Sequence, residues 1–201
     1  MVFCMALAAC ATDQMDKEDN LPRPAPPAPA LAAELKREVS AMGYGNWIVI
    51  AESSFPVYSR RGVRTLLVDA EIPAVLDQVL TSLEYSDSVK PKFTTSTELA
   101  YLHNDRAPGI DQFRTELETA LHGFPTRRMD YRALSLLLED SSNKFAVLVL
   151  KTNTSLPYTS IFIELQSNYW DRENETELRE KLKAAEPLSP EKKLPNPLDH
   201  P

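Results

Sequence analysis

The chain has 201 residues, 25% of them charged and 43% hydrophobic, which suits one or at most two globular domains. Lysine and arginine number 22 against 29 aspartate and glutamate, and a net charge of -7 argues against a nucleic-acid binder with a basic face. No stretch approaches the roughly 18–20 apolar residues of a membrane-spanning helix, five Gly and 16 Pro exclude a collagen-like chain, and two Cys exclude a disulfide scaffold.

In chain order, residues 1–10 read MVFCMALAAC, and Leu7-Ala8-Ala9-Cys10 resembles the lipobox of a bacterial lipoprotein, where cleavage precedes a Cys that is then lipidated. Nine residues precede Cys10 and none is Lys or Arg, a departure from that pattern. The resemblance implies a domain held at the bacterial cell envelope, periplasmic or surface-exposed, touching membrane only through the lipid on Cys10. An acidic stretch and a proline-rich run, LPRPAPPAPA at 21–30, follow as a flexible tether over 11–30. A second proline-rich run, PLSPEKKLPNPLDHP, closes the chain inside a polar tail over 172–201. Such runs bury too little apolar surface to fold, so the folded body is expected at 31–171, flanked by disordered segments.

Within that body, Leu31, Leu35, Val39 and Met42 mark one helical face that Gly43 can end. WIVIA at 47–51 and RTLLVD at 64–69 read as buried strands. Ile72-Pro73 opens a helix with Val75, Leu76, Val79, Leu80 and Leu83 inward. A short strand at 92–95 precedes a helix from Pro108 carrying Ile110, Phe113, Leu117 and Leu121, and Tyr131, Leu134 and Leu138 suggest another. FAVLVL at 145–150 and TSIFIEL at 159–165 are the last apolar strands, and 172–185 suits a solvated helix. Helices and strands interleave, so the class is α/β, a central sheet covered by helices.

Polar groups gather just beyond strand ends, where such sheets usually bind ligands. One group runs Gly43-Tyr44-Gly45-Asn46, the strand, then Glu52-Ser53-Ser54-Phe55-Pro56; the other is Lys151-Thr152 to Leu156-Pro157-Tyr158-Thr159-Ser160 ahead of an apolar strand. This order resembles the D-ribose pyranase / L-fucose mutarotase (RbsD/FucU) family, whose pattern is Gly-His-x-Asp, an apolar strand, Asp-Ala-x-[Phe/Leu]-Pro and later [Arg/Thr]-Gly-Glu-x-x-x-Tyr-x-Asn. The resemblance covers 31–171. It implies a monosaccharide ligand, a ring-like homo-oligomer that is often a decamer, and a site near the subunit interface.

Carried over residue by residue, the family's catalytic His matches Tyr44, its sugar-binding Asp matches Glu52, and its Tyr-x-Asn pair matches Tyr158 and Ser160. A second family His falls near Asp130 or Tyr131. Asn46, Ser53 and Lys151 are further candidates for sugar hydroxyls. Interconverting ring forms or anomers requires a proton taken from the anomeric hydroxyl and one given to the ring oxygen. A Tyr with a pKa of about 10 donates but abstracts poorly, so Glu52 is expected as base and Tyr44 or Tyr158 as acid. The alternative is a catalytically inactive sugar-binding or structural oligomeric domain. No metal-ligand cluster, phosphate loop, Cys nucleophile or Ser-His-Asp arrangement is recognisable, so no cofactor or metal is expected. His103, His122 and His200 match no site position and read as solvated or capping residues.

Overall fold

The structure, a computed structural model, describes residues 22–24 and 28–184. Cys10, most of the expected tether and the whole C-terminal proline-rich run lie outside the described residues. The chain divides after Ser167 into two units, a boundary four residues ahead of the expected end of the body at 171.

The first unit contains seven strands in one sheet: β1 (Arg23–Pro24), β2 (Trp47–Ala51), β3 (Val63–Leu67), β4 (Val89–Ser96), β5 (Thr126–Met129), β6 (Val147–Lys151) and β7 (Ile161–Ser167). Among the described residues four helices accompany them, α1 (Ala28–Ala41), α2 (Ile72–Glu84), α3 (Ile110–Ala120) and α4 (Tyr131–Ser141), with a 3-10 turn at Glu98–Tyr101. Their order across the sheet is β1-β3-β6-β2-β7-β4-β5. Only β7 runs against its neighbours; the pairs β1–β3, β3–β6, β6–β2 and β4–β5 are parallel. The expected α/β class and helix-covered sheet are what the chain adopts.

Over the central strands β2 and β6 both sheet faces are dry, which explains the unbroken apolar strands. Ile48, Ile50, Leu148, Leu150, Ile161 and Ile163 face one way, onto the inward residues of α1, α2 and α3. Trp47, Val49, Val147, Val149 and Phe162 face the other, onto Leu134 and Leu138 of α4 and onto Phe55. The period-2 alternation of a strand sends neighbours to opposite layers, so a strand buried on both sides must be apolar throughout. On the first face, burial opposes ionisation of Glu38, but the guanidiniums of Arg64 on β3 and Arg37 more than offset it, and its carboxyl sits below the ordinary carboxylate value. That ion pair pins α1 to β3.

Three elements departed from expectation. Arg23–Pro24, inside the proposed tether, forms β1 against Leu66 and Leu67, and α1 begins at Ala28. A two-residue edge strand needs few donors, so Pro24 is tolerated there, and it covers the otherwise open edge of β3. Thr126–Met129 (TRRM) forms β5 without any apolar run, because it is the opposite edge and is partly solvated. β4 begins at Val89, three residues before the expected strand, and carries Pro91 within it.

The second unit contains α5 (Arg172–Ala184), a helix with no buried residue. Its stability is local: Glu175 pairs with Arg179 and Glu177 with Lys181, each one turn apart.

Candidate functional site

Strand order decides which loops meet. β2 lies between β6 and β7, so the chain linking those two strands must cross the C-terminal end of β2. There it is fastened by hydrogen bonds. The Thr152 amide and hydroxyl both donate to the Ala51 carbonyl (2.9 and 2.8 Å), and the Ser53 amide donates to Thr154 O (2.8 Å). The Thr154 hydroxyl accepts from the Ile72 amide (2.9 Å) and donates to Glu71, while Asn153 Nδ2 donates to Asp69 (2.6 Å). The two stretches singled out in the sequence, around 52–53 and 152–160, are therefore one built surface. All six co-directional strands end at this edge of the sheet, the usual place for a ligand in such a fold.

Glu52 is its buried carboxylate, 6% exposed. Its Oε2 accepts hydrogen bonds from the Ser160 amide (3.1 Å) and from the Ser160 hydroxyl, and the Ser160 Oγ in turn accepts from the Glu52 amide (3.1 Å). Oε1 makes no hydrogen bond among the described residues.

Beside Glu52 stand tyrosines. Tyr131 opens α4 and meets Tyr158 edge to face, with ring centroids 5.4 Å apart. Burial, and then the negative charge of Glu52, push the Tyr131 phenol above the ordinary tyrosine value. Tyr131 is thus a proton donor throughout the neutral range. Tyr58, its ring tilted against Phe55 with centroids 6.1 Å apart, is raised as well, by burial and by Glu139 against the opposing charge of Arg60. Tyr158 is the one non-glycine among the described residues with a left-handed backbone, φ 61°. An aromatic residue there costs about 1–3 kcal/mol and persists only where its surroundings enforce it. Here the enforcement is visible: the Thr159 hydroxyl donates to Leu156 O (2.7 Å) and Ser160 is clamped to Glu52.

A residue that sequence reasoning missed holds Tyr131 in place. Both carboxylate oxygens of Glu98 accept from the Tyr131 amide (3.1 and 3.2 Å), and the Ser96 hydroxyl donates to Glu98 as well. Asp130 supplies the rest of the helix start, accepting from the amides of Arg132 (3.0 Å) and Ala133 (3.1 Å). Asp130, expected to touch substrate, is a helix cap. An Asp directly before a helical apolar pattern was the available signal for that cap; Glu98, 33 residues from its partner, offered none.

The remaining candidates separate. Ser53 is exposed, its hydroxyl 3.1 Å from that of Ser155. Lys151 ends β6 half-buried on the same edge. Tyr44 and Asn46, however, precede β2 whereas Glu52 follows it, so a strand of five residues separates them, roughly 16 Å at about 3.3 Å per residue. Within one chain the structure does not bring Tyr44 to Glu52. Asn46 is occupied there, accepting from the Ala146 amide (3.2 Å). Tyr44 is 70% exposed on a turn held by Gly45, whose φ of 85° and whose contact with the Phe145 ring, 2.7 Å from where a Cβ would stand, leave room for no side chain. A larger recess of about 620 Å³ lies between α3 and β4–β5, but its Arg114 is already committed to the carbonyls of Leu99 and Leu102 and to Asp111.

No family model matches the chain, and no curated protein matches it. Solved structures are similar to it. One is RbsD from Bacillus subtilis complexed with D-ribose, at 17% identity over 67% of this chain and 92% of that one, TM-score 0.47. A second is FucU from Bifidobacterium longum, at 17% identity over 67% and 94%, TM-score 0.40. A third is the fucose mutarotase in complex with L-fucose from Streptococcus pneumoniae, at 21% identity over 69% and 91%, TM-score 0.39.

Proposed function

We propose that the edge around Glu52 handles a monosaccharide, opening and reclosing its ring by acid–base chemistry. The observation that carries this reading is the convergence of one buried carboxylate with the two phenols of Tyr131 and Tyr158 at the end of β2. The motif resemblance supplies the ligand class, and D-ribose and L-fucose are the first sugars to test.

In this scheme Glu52 Oε1 takes the proton from the anomeric hydroxyl. Tyr131 or Tyr158 delivers a proton to the ring oxygen, the ring C–O bond breaks, and the open aldehyde recloses by the reverse transfers. Tyr131 suits the acid role because burial and Glu52 keep its phenol protonated. Tyr44 joins through a neighbouring copy: in a head-to-tail ring the edge of the sheet carrying Tyr44 faces the edge carrying Glu52, since such interfaces join unlike patches. A lipid on Cys10 would hold this assembly at the cell envelope.

A second reading has its own support. Glu52 Oε2 already accepts two hydrogen bonds from Ser160, an arrangement that suits a fixed acceptor for sugar hydroxyls as well as a base. Saturation-transfer NMR on aldoses separates the two. Catalysis predicts exchange between ring forms faster than in buffer, with Glu52→Gln losing about a hundredfold or more of the gain. Exchange no faster than buffer, with the protein nonetheless stabilised by the sugar, leaves capture without turnover.

A further inference from the structure

At the other end of β2, the Tyr44 turn borders a separate cavity of about 280 Å³, lined among others by Trp47, Lys92, Arg127 and Glu164. The sheet builds it. Glu164 of β7 stands opposite both Trp47 of β2 and Lys92 of β4, and Arg127 of β5 stands opposite Thr94. All lie on the sheet face that α4 covers, and Leu137 and Ser141 of that helix line the cavity with them.

Its charges are unevenly spent. Lys92 Nζ and Glu164 Oε2 pair at 3.1 Å, both partly buried, and neutralise each other. Arg127 donates through Nε to the Thr94 hydroxyl (3.0 Å), and its two Nη groups have no partner among the described residues. One anchored guanidinium, its fork unused, thus gives the cavity a surplus positive charge next to aromatic walls. A planar guanidinium fork fixed at Nε is preorganised for two parallel hydrogen bonds to a carboxylate.

We infer that the Tyr44 cavity, presented to the Glu52 edge of a neighbouring copy in the head-to-tail arrangement proposed above, is a carboxylate subsite, and that the sugar this protein prefers is an acidic monosaccharide, a uronate whose carboxylate sits on Arg127. The inference rests on the monosaccharide reading for the word sugar and adds the charge that selects it. Lys92 and Glu164 cancel and leave Arg127 the net charge, while the exposed Tyr44 ring at the rim offers apolar surface to the pyranose.

The test is binding, followed by the indole fluorescence of Trp47 in a Trp170→Phe background, where it is the sole tryptophan. D-glucuronate and D-galacturonate are compared with D-glucose and D-galactose at matched ionic strength. At least one uronate is expected to bind about tenfold or more tightly than its neutral counterpart, the scale of one bidentate charge-assisted contact. Arg127→Gln should erase that preference, and Glu164→Gln, by releasing Lys92, should increase it. The opposite signs cannot both come from a damaged fold. Equal affinity for uronates and neutral sugars overturns the subsite, as does a preference that survives Arg127→Gln or weakens in Glu164→Gln. Turnover of neutral aldoses without uronate preference overturns the subsite alone and leaves the Glu52 reading standing. Uronate preference without turnover of any sugar supports the subsite and removes the catalytic reading.

Discussion

At Tyr158 the backbone conformation and the chemistry pull in opposite directions. A left-handed φ of 61° favours glycine, yet the position carries a phenol facing Tyr131. Replacing it with glycine removes about 1–2 kcal/mol of backbone strain, offset by the added flexibility of the unfolded chain and the lost ring contact. Tyr158→Gly should therefore melt within a few degrees of the parent while losing sugar binding; a collapse in stability would show that the ring is structural. Tyr131 allows a second check at this scale. Its phenol and that of Tyr58 titrate above the ordinary value of 10.0. The fold thus favours the neutral phenols, a contribution fully present below the ordinary value and lost as pH rises through the raised ones. Alkaline unfolding should set in as pH climbs past 10, with phenolate absorbance lagging behind that of free tyrosine. Glu52→Gln, by removing the neighbouring charge, should bring the Tyr131 titration down.

Among the elements, α4 ties the site to the sheet. Its first amide is held by Glu98 and the next two by Asp130, so two carboxylates from different loops fix where Tyr131 stands. Glu98→Ala leaves the Tyr131 amide without its acceptor and should cost about 1 kcal/mol, the usual scale of a lost helix cap. The same change should lower the catalytic rate more than it weakens sugar binding, because Tyr131 is displaced while Glu52 is not. Equal melting temperatures for variant and parent would contradict the anchoring role. Most elements were legible beforehand for a physical reason. Leu31, Leu35 and Val39, or Ile110, Phe113 and Leu117, repeat at helical spacing because one face is buried, and WIVIA is apolar throughout because both of its faces are. β1 and β5 were not legible. As edges they bury little, and pairing with β3 and β4, rather than their own composition, makes them strands.

For the whole molecule, sequence motifs name residues but not the distances between them. Glu52, Tyr158 and Ser160 were grouped by motif order and by their place beyond strand ends, and the β6–β7 connection crossing the end of β2 brings Ser160 onto Glu52. Tyr44 was grouped with them on motif order alone, and β2 stands between. In the proposed site, Tyr44 would meet Glu52 only from a neighbouring copy of the chain. The measurement that bears most directly on this account is a crystal structure of the full chain with a bound monosaccharide. It should show sugar hydroxyls within hydrogen-bond reach of Glu52 Oε1 and the Tyr158 phenol, with a neighbouring subunit's Tyr44 on the far side of the ring. A sugar seated elsewhere, with Glu52 still closed against Ser160 and touching no ligand, would contradict it.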